Sequence, residues 1–253
     1  IDAAVPGGTV FVAAGTYGEN IQVNKAVKLI GAGRDVVTLQ GVAPATDSGS
    51  VQITASNVTI DGFTIKGLGN KTIRITQPTA NLVLKNNKVI AGSNTSLQNG
   101  WSAFETNYGS AQSNHLIENN IFEGQNSSQL LYYNPQINNL TMKNNKFIGS
   151  MLPMGLVVGF DGLDGNQVFE GNDFSEVASN YALLEVFGTY NILNLYNNNT
   201  WPDGYIPTQN KVALSTVVFP STNDINRAKN WAHVNLVNID QNGVMTFDFV
   251  QPR

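Results

Sequence analysis

The stretch Thr141–Gly149, TMKNNKFIG, places two asparagines between two short apolar runs, and variants of it recur along the chain. VLKNNKVIAG (83–92) and LIENNIFEG (116–124) precede it, and VFEGNDFSE (168–176) and NLYNNNTW (194–201) follow. With the first asparagine of each pair as a reference, equivalent positions are Gly62, Asn86, Asn119, Asn144, Gly171 and Asn197, with Gly31 a fainter predecessor. Their spacings are 31, 24, 33, 25, 27 and 26 residues. A period near 25 that tolerates insertions is the mark of a solenoid.

Apolar residues stand four and two positions before the reference, as in Leu82 and Leu84 or Leu140 and Met142, and three after it, as in Val89, Phe122, Phe147 and Phe174. Alternation of period two is strand behaviour. The odd step across the pair breaks that alternation, so the chain must bend there. The second asparagine falls in phase with the inward set after the bend. Asn87, Asn120, Asn145, Asn172 and Asn198 are therefore expected to point inward. Stacked at the ~4.8 Å strand spacing, such amides can satisfy one another.

A third apolar pair lies about eleven residues upstream of each reference: Ile73 and Ile75, Leu131 and Tyr133, Val158 and Phe160, Leu184 and Val186. Phe104, Thr106 and Tyr108 fit the same parity. Three short strands per turn predict an all-β, single-stranded right-handed parallel β-helix. About seven to eight rungs and almost no helix are expected. Residues 1–220 make the helix with an N-terminal cap remnant, Ile1–Val5 reading as the last turn of a helix. Residues 221–253 form a capping segment of the same domain, with a hairpin-like pair around QNG (241–243). The opening IDAAVPGGTV suggests a trimmed chain whose targeting segment has been removed.

Composition narrows the partners. Charged residues make up 13% of the chain and the net charge is −4, with no Lys/Arg block, which argues against nucleic acid. No apolar run reaches the ~18 residues of a membrane span, so membrane insertion is not expected. Asparagine accounts for 34 residues, whereas cysteine is absent, which removes thiol catalysis and cysteine-based zinc sites.

The segment Gly7–Gly41, GGTVFVAAGTYGENIQVNKAVKLIGAGRDVVTLQG, resembles the first rungs of the pectin-lyase-like superfamily, and GTYGENIQV is similar to the opening of pectin methylesterases. The repeat carries the resemblance over about Thr9–Pro220. It implies a secreted or cell-surface, bacterial-type protein acting on or binding polysaccharide, with possible further domains. Pectin methylesterase motifs are missing: GFDGLD and EVFGTYN are the nearest strings. The basic residue and acidic cluster that the resemblance to pectate lyases implies are not evident either.

In this superfamily the outer face of one strand stack commonly forms the saccharide groove. Counting back from the reference places Arg74, Asn107, Tyr132, Gly159 and Glu185 in one outward column. Glu105, Leu130 and Val157 fall beside it on one side, Asn134 and Asp161 on the other. Polar groups next to flat apolar surface suit sugars. Asp161 and Glu185, ~8 Å apart by strand geometry, could serve inverting hydrolysis. The catalytic candidates are thus Arg74, Glu105, Asp161 and Glu185. Trp101, Trp201 and Tyr205, on long excursions, are candidates to stack on sugar rings or to fold down as a lid. DGLDGN (161–166) resembles a calcium loop through Asp161 and Asp164, but it lacks the full ligand set with a terminal Glu, and plain turn chemistry is the favoured reading. His115 occupies an inward position and is expected to be a core residue.

The leading expectation is a non-catalytic polysaccharide-binding domain. A polysaccharide lyase or glycoside hydrolase is the alternative, and a structural module of a surface layer or filament the third.

Overall fold

The computed structural model describes residues 1–42, 49–68, 71–92, 102–107, 109, 111–134, 136–178, 182–187, 198–201, 213–215, 234–239 and 245–249. It is all-β, and the described residues contain no helix. Ile1–Val5 is a turn closed by Ala4 N–H to the Ile1 carbonyl at 3.0 Å, not the expected end of a helix.

Each repeat contributes strands to two parallel sheets. One sheet stacks Gly8–Val12, Val27–Gly31, Val58–Asp61, Val83–Lys85, Gln112–Glu118 and Ile137–Lys143, and ends on Leu163–Asp164 and Val168–Glu170. The other takes the strand after each asparagine bend, from Gly15–Gly18 to Asp173–Ala178. It also takes the upstream strands Ile21–Val23, Val51–Ile53, Lys71–Ile75, Ser102–Thr106 and Ala182–Phe187. The long strands Ile121–Tyr133 and Lys146–Phe160 run through both sets and join them. The C-terminal pair Val234–Ile239 and Met245–Phe249 is antiparallel, matching the expected hairpin.

Left-handed backbone shapes the bend. Asn86, Asn119 and Asn144 adopt φ of 55°, 54° and 54°, a conformation that Asn tolerates better than other non-glycine residues. One residue on, the amides turn inward and form a ladder. Phe63 N–H donates to Asn87 Oδ1 at 3.0 Å, and the backbone and side-chain N–H groups of Asn87 both donate to Asn120 Oδ1, at 3.0 and 3.2 Å. The same fork links Asn120 to Asn145 and Asn145 to Asn172. Each amide also donates to a carbonyl of the first sheet: Ile60, Leu84, Ile117 and Met142. All four side chains are buried and fully paired, which is what makes interior amides tolerable.

The last step departs from expectation. Asn172 donates to Asn199 Oδ1 at 2.9 Å from both N–H groups, whereas Asn198 is exposed. Three asparagines in a row left the phase ambiguous by one residue. The bend takes the later pair, so the inward position is Asn199.

That shift also places Trp201. Three residues past each reference stands the column Phe122, Phe147 and Phe174, stacked at 5.3 and 4.6 Å between centroids. With Asn198 as the reference, Trp201 is the next member, parallel to Phe174 at 4.9 Å. Each such contact adds roughly 0.5–1.5 kcal/mol beyond the area it buries. Trp201 is therefore half-buried on the interior column rather than held out as a sugar platform.

The outer face of the first sheet carries a charge ladder, Asp61–Lys85–Glu118–Lys143–Glu170, whose members are direct cross-strand partners of alternating sign. Lys85 reaches Asp61 at 3.4 Å and Lys143 reaches Glu170 at 2.7 Å. The hydrogen bond that Lys143 donates to Glu170 holds its ammonium above the usual range, and Glu118 adds to the effect. Like charges directly opposite would destabilise the stack, so alternation favours this register over a one-strand slip.

Candidate functional site

Backbone pairing fixes the outward column of the upstream strands as Gln52, Arg74, Glu105, Tyr132, Gly159 and Glu185. Arg74 thus faces Glu105 rather than Asn107. The 33-residue repeat carries two additional residues between Asn107 and Gln112, as the pairing of Thr79 with Gln112 shows. Counting back from the asparagine therefore stopped two residues short. Parity survived the slip, so inward and outward faces were still assigned correctly.

The column is outward but not open. Arg74 is 6% exposed and Tyr132 4%. Arg74 donates from Nη1 to Glu105 Oε1 at 3.0 Å and from Nη2 to Asn107 Oδ1 at 2.7 Å. Lys71 Nζ stands 3.3 Å from the same Glu105 oxygen, and Ser102 Oγ donates to Oε2 at 2.7 Å. Truncating one partner of so buried a pair would leave a charge uncompensated. Asn134 sits one repeat beyond Asn107, with its Oδ1 buried and accepting no hydrogen bond among the described residues. Its N–H donates to Thr106 Oγ1 at 2.7 Å.

Tyr132 forms the second polar group. Its hydroxyl donates to Asp161 Oδ1 at 2.5 Å, and its ring lies over Gly159 beside Leu156. A Cβ at Gly159 would come within 2.3 Å of the Tyr132 ring. Gly159→Ala is therefore expected to lower stability by about 1–3 kcal/mol through overpacking. The displaced ring would also lose Asp161, which near-UV circular dichroism of the variant would register as an altered tyrosine signal.

Among the candidates, the structure brings together Arg74, Glu105 and Asn107 as one cluster and Tyr132 and Asp161 as another. The backbone of Glu185 pairs with Gly159, but its side chain, with Trp101 and Tyr205, lies outside the described residues. Both described candidate carboxylates, Glu105 and Asp161, are committed to neighbouring donors. The arrangement offers a row of aligned, mutually hydrogen-bonded polar groups rather than an acid and a base facing a shared space.

No protein-family model matches the sequence, and comparison with curated proteins and with solved structures gives no match.

The proposed cation loop has its carboxylates turned apart. Asp161 takes the Tyr132 hydroxyl, whereas Asp164 is exposed and accepts from Gln136 Nε2. Gly165 supplies φ of 69° against Asn139, as a tight turn requires. Among the described residues, no three His, Asp or Glu side chains converge as a metal-binding group.

His115 is buried in the interior, as its phase predicts. Nδ1 accepts from the Tyr133 hydroxyl at 2.9 Å, which leaves the Nε2 proton for Thr79, at 3.2 Å from its hydroxyl and 3.3 Å from its carbonyl. Thr79 Oγ1 in turn donates to Gln112 Oε1 at 2.5 Å. Burial lowers the His115 pKa to about 4 despite the opposing Thr79 carbonyl, and burial also raises the Tyr133 pKa.

A second column of asparagines escaped the sequence reading. Asn57, Asn81, Asn114 and Asn139 have φ between 55° and 58°, each five residues before the bend. They pair outside the protein body, Asn81 to Asn57 at 2.9 Å and Asn139 to Asn114 at 3.0 Å. The signal was their constant offset from the reference. It went unread because single asparagines are common in so Asn-rich a chain.

Proposed function

We propose that the chain is a right-handed parallel β-helix of the pectin-lyase-like kind, from a secreted or cell-surface protein, and that it binds polysaccharide without cleaving it. The observation that carries this is the state of the strand-face column. Its polar side chains line up at strand spacing, and the described carboxylates in and beside it already accept from neighbours: Glu105 from Arg74 and Ser102, Asp161 from Tyr132. Polar groups ordered on a rigid strand stack support recognition, and the donors already bonded to Glu105 and Asp161 argue against a free acid–base pair. The parallel stacks and the interior amide ladder support the helical architecture. One observation favours a second reading, a structural module of a surface layer or filament: Trp201 is used to extend the interior stack.

Incubation with a panel of uronate and neutral polysaccharides, followed by unsaturated-product absorbance, reducing ends and pull-down, is expected to show retention without turnover. Turnover that disappears in Asp161→Asn or Arg74→Ala would overturn the non-catalytic reading in favour of a lyase or hydrolase. No retention on any glycan would leave the structural module.

A further inference from the structure

A separate concavity runs along the asparagine bend, on the opposite side of the bend strands from the column above. It has a volume of about 660 Å³, and Arg34, Asp61, Asn86, Asn119, Asn144 and Lys146 are among the residues that line it. Its origin is an insertion. Gly31 lies opposite Gly62 at the bend, yet Thr38 pairs with Thr64, so the first repeat carries five residues more than the second between these points. This loop, 32–36, overhangs the bends of the following repeats. It is pinned by Thr64 Oγ1, which donates to the Arg34 carbonyl at 2.7 Å. The close approach beneath it needs glycine, since a Cβ on Gly31 would lie 2.5 Å from the Gly62 carbonyl oxygen.

The charges in this groove are not balanced. Asp61 is met by Lys85 at 3.4 Å and by Asn86 Nδ2 at 2.8 Å, and Lys146 is met by Glu176 at 2.5 Å. Arg34 is half-buried and has no ion-pair partner among the described residues. Its Nη1 donates to the Asn119 carbonyl at 3.0 Å, which spends one of the five guanidinium donors. The Asn119 and Asn144 amides beside it are exposed and make no side-chain hydrogen bond among the described residues, unlike those of the inner ladder and the Asn57 column. They stand one strand spacing, ~4.8 Å, apart. A planar cation with free donors matches a planar or tetrahedral anion in two-point fashion, and a row of amides offers donors and acceptors to hydroxyls.

We infer that this bend groove is the site that holds an acidic saccharide chain, with its anionic group on Arg34 and its hydroxyls on Asn119 and Asn144. The inference rests on the polysaccharide-binding reading and moves the contact surface away from the Arg74 column. The chain would lie along the stacking direction, crossing one bend per repeat.

Calorimetry on the full chain with an oligouronate, a sulfated oligosaccharide and a neutral oligosaccharide tests it. Arg34→Ala is expected to weaken the acidic ligand by about tenfold or more, and added salt to weaken the wild type in the same direction. A loss confined to the oligouronate assigns a carboxylate; one confined to the sulfated ligand assigns a sulfate ester. Asn119→Gly and Asn144→Gly keep the positive φ while removing the amide, and together they should weaken acidic and neutral ligands alike. Thr9→Ala, on the exposed outer face of the first strand, should change nothing. Affinity that survives Arg34→Ala but falls in Asn107→Ala would overturn the inference and leave polysaccharide binding intact. Failure of the wild type to bind any of the three would overturn both.

Discussion

Replacement of Asn145 by alanine is expected to destabilise the protein by about 4 kcal/mol, and replacement of its neighbour Asn144 by glycine by well under 1 kcal/mol. The contrast follows from four buried hydrogen bonds. Asn145 Nδ2 donates to the Ile117 carbonyl at 2.8 Å and to Asn172 Oδ1 at 2.9 Å. Its Oδ1 accepts from Asn120 at 3.1 Å, once from the backbone and once from the amide. A typical bond contributes only about 1 kcal/mol net, but truncation also leaves the partners buried and unpaired, at a further ~1–3 kcal/mol each where water cannot reach. Collapse around the small cavity would recover part of that. Asn144 makes no side-chain hydrogen bond among the described residues, is exposed, and has φ of 54°, which glycine adopts freely. Urea denaturation of the two variants measures the difference. Equal effects would mean that the ladder contributes no more than the bend itself.

The same pair of residues shows how far sequence reached. An odd step between apolar phases can only be made by a bend, and a polar residue in the inward phase must be paired. Asn87, Asn120, Asn145 and Asn172 were therefore legible from pattern alone. The phase failed where the signal was redundant. In YNNNTW every choice of pair looks alike, and only the aromatic column, which requires a large ring three residues after the reference, selects Asn198 and Asn199. Applied at the outset, that requirement would have put Trp201 indoors.

The candidate site was less legible, for a different reason. Period-two patterns report which face a residue occupies but not which residue of the next strand stands opposite, because a slip of two preserves parity. The slip between Asn107 and Gln112 exchanged Asn107 for Glu105 as the neighbour of Arg74. Burial of an outward face is not coded locally at all. Tyr132 is covered because Gly159 lets its ring lie flat and Leu156 closes over it, and those residues are 27 and 24 positions away in sequence. Arg34 was invisible for the same reason. Its significance comes from an insertion that carries it over a bend 85 residues later.

Acid should begin to destabilise this protein through His115 before most of its carboxylates are protonated. The ring is enclosed by Tyr133, Thr79 and Gln112, and burial lowers its pKa from an ordinary 6.5 to about 4. Above 6.5 the folded and unfolded chains both carry neutral imidazole, and the site makes no difference to stability with pH. Between 6.5 and 4 the unfolded chain binds a proton that the folded chain refuses, so stability falls as pH falls. The full loss across that window is about 3 kcal/mol, reached near pH 4, below which this group adds nothing further. Protonation would also place a donor at Nδ1 against the Tyr133 hydroxyl, forcing that hydroxyl to reverse. Urea denaturation from pH 7 to 5.5, where most carboxylates stay ionised, should show a slope approaching one proton. His115→Gln should be less stable at pH 7 yet much flatter across the same range, and this difference separates His115 from His233, which lies outside the described residues. A wild type and variant with parallel pH profiles would show that the ring takes up its proton in the folded protein as easily as in the unfolded chain.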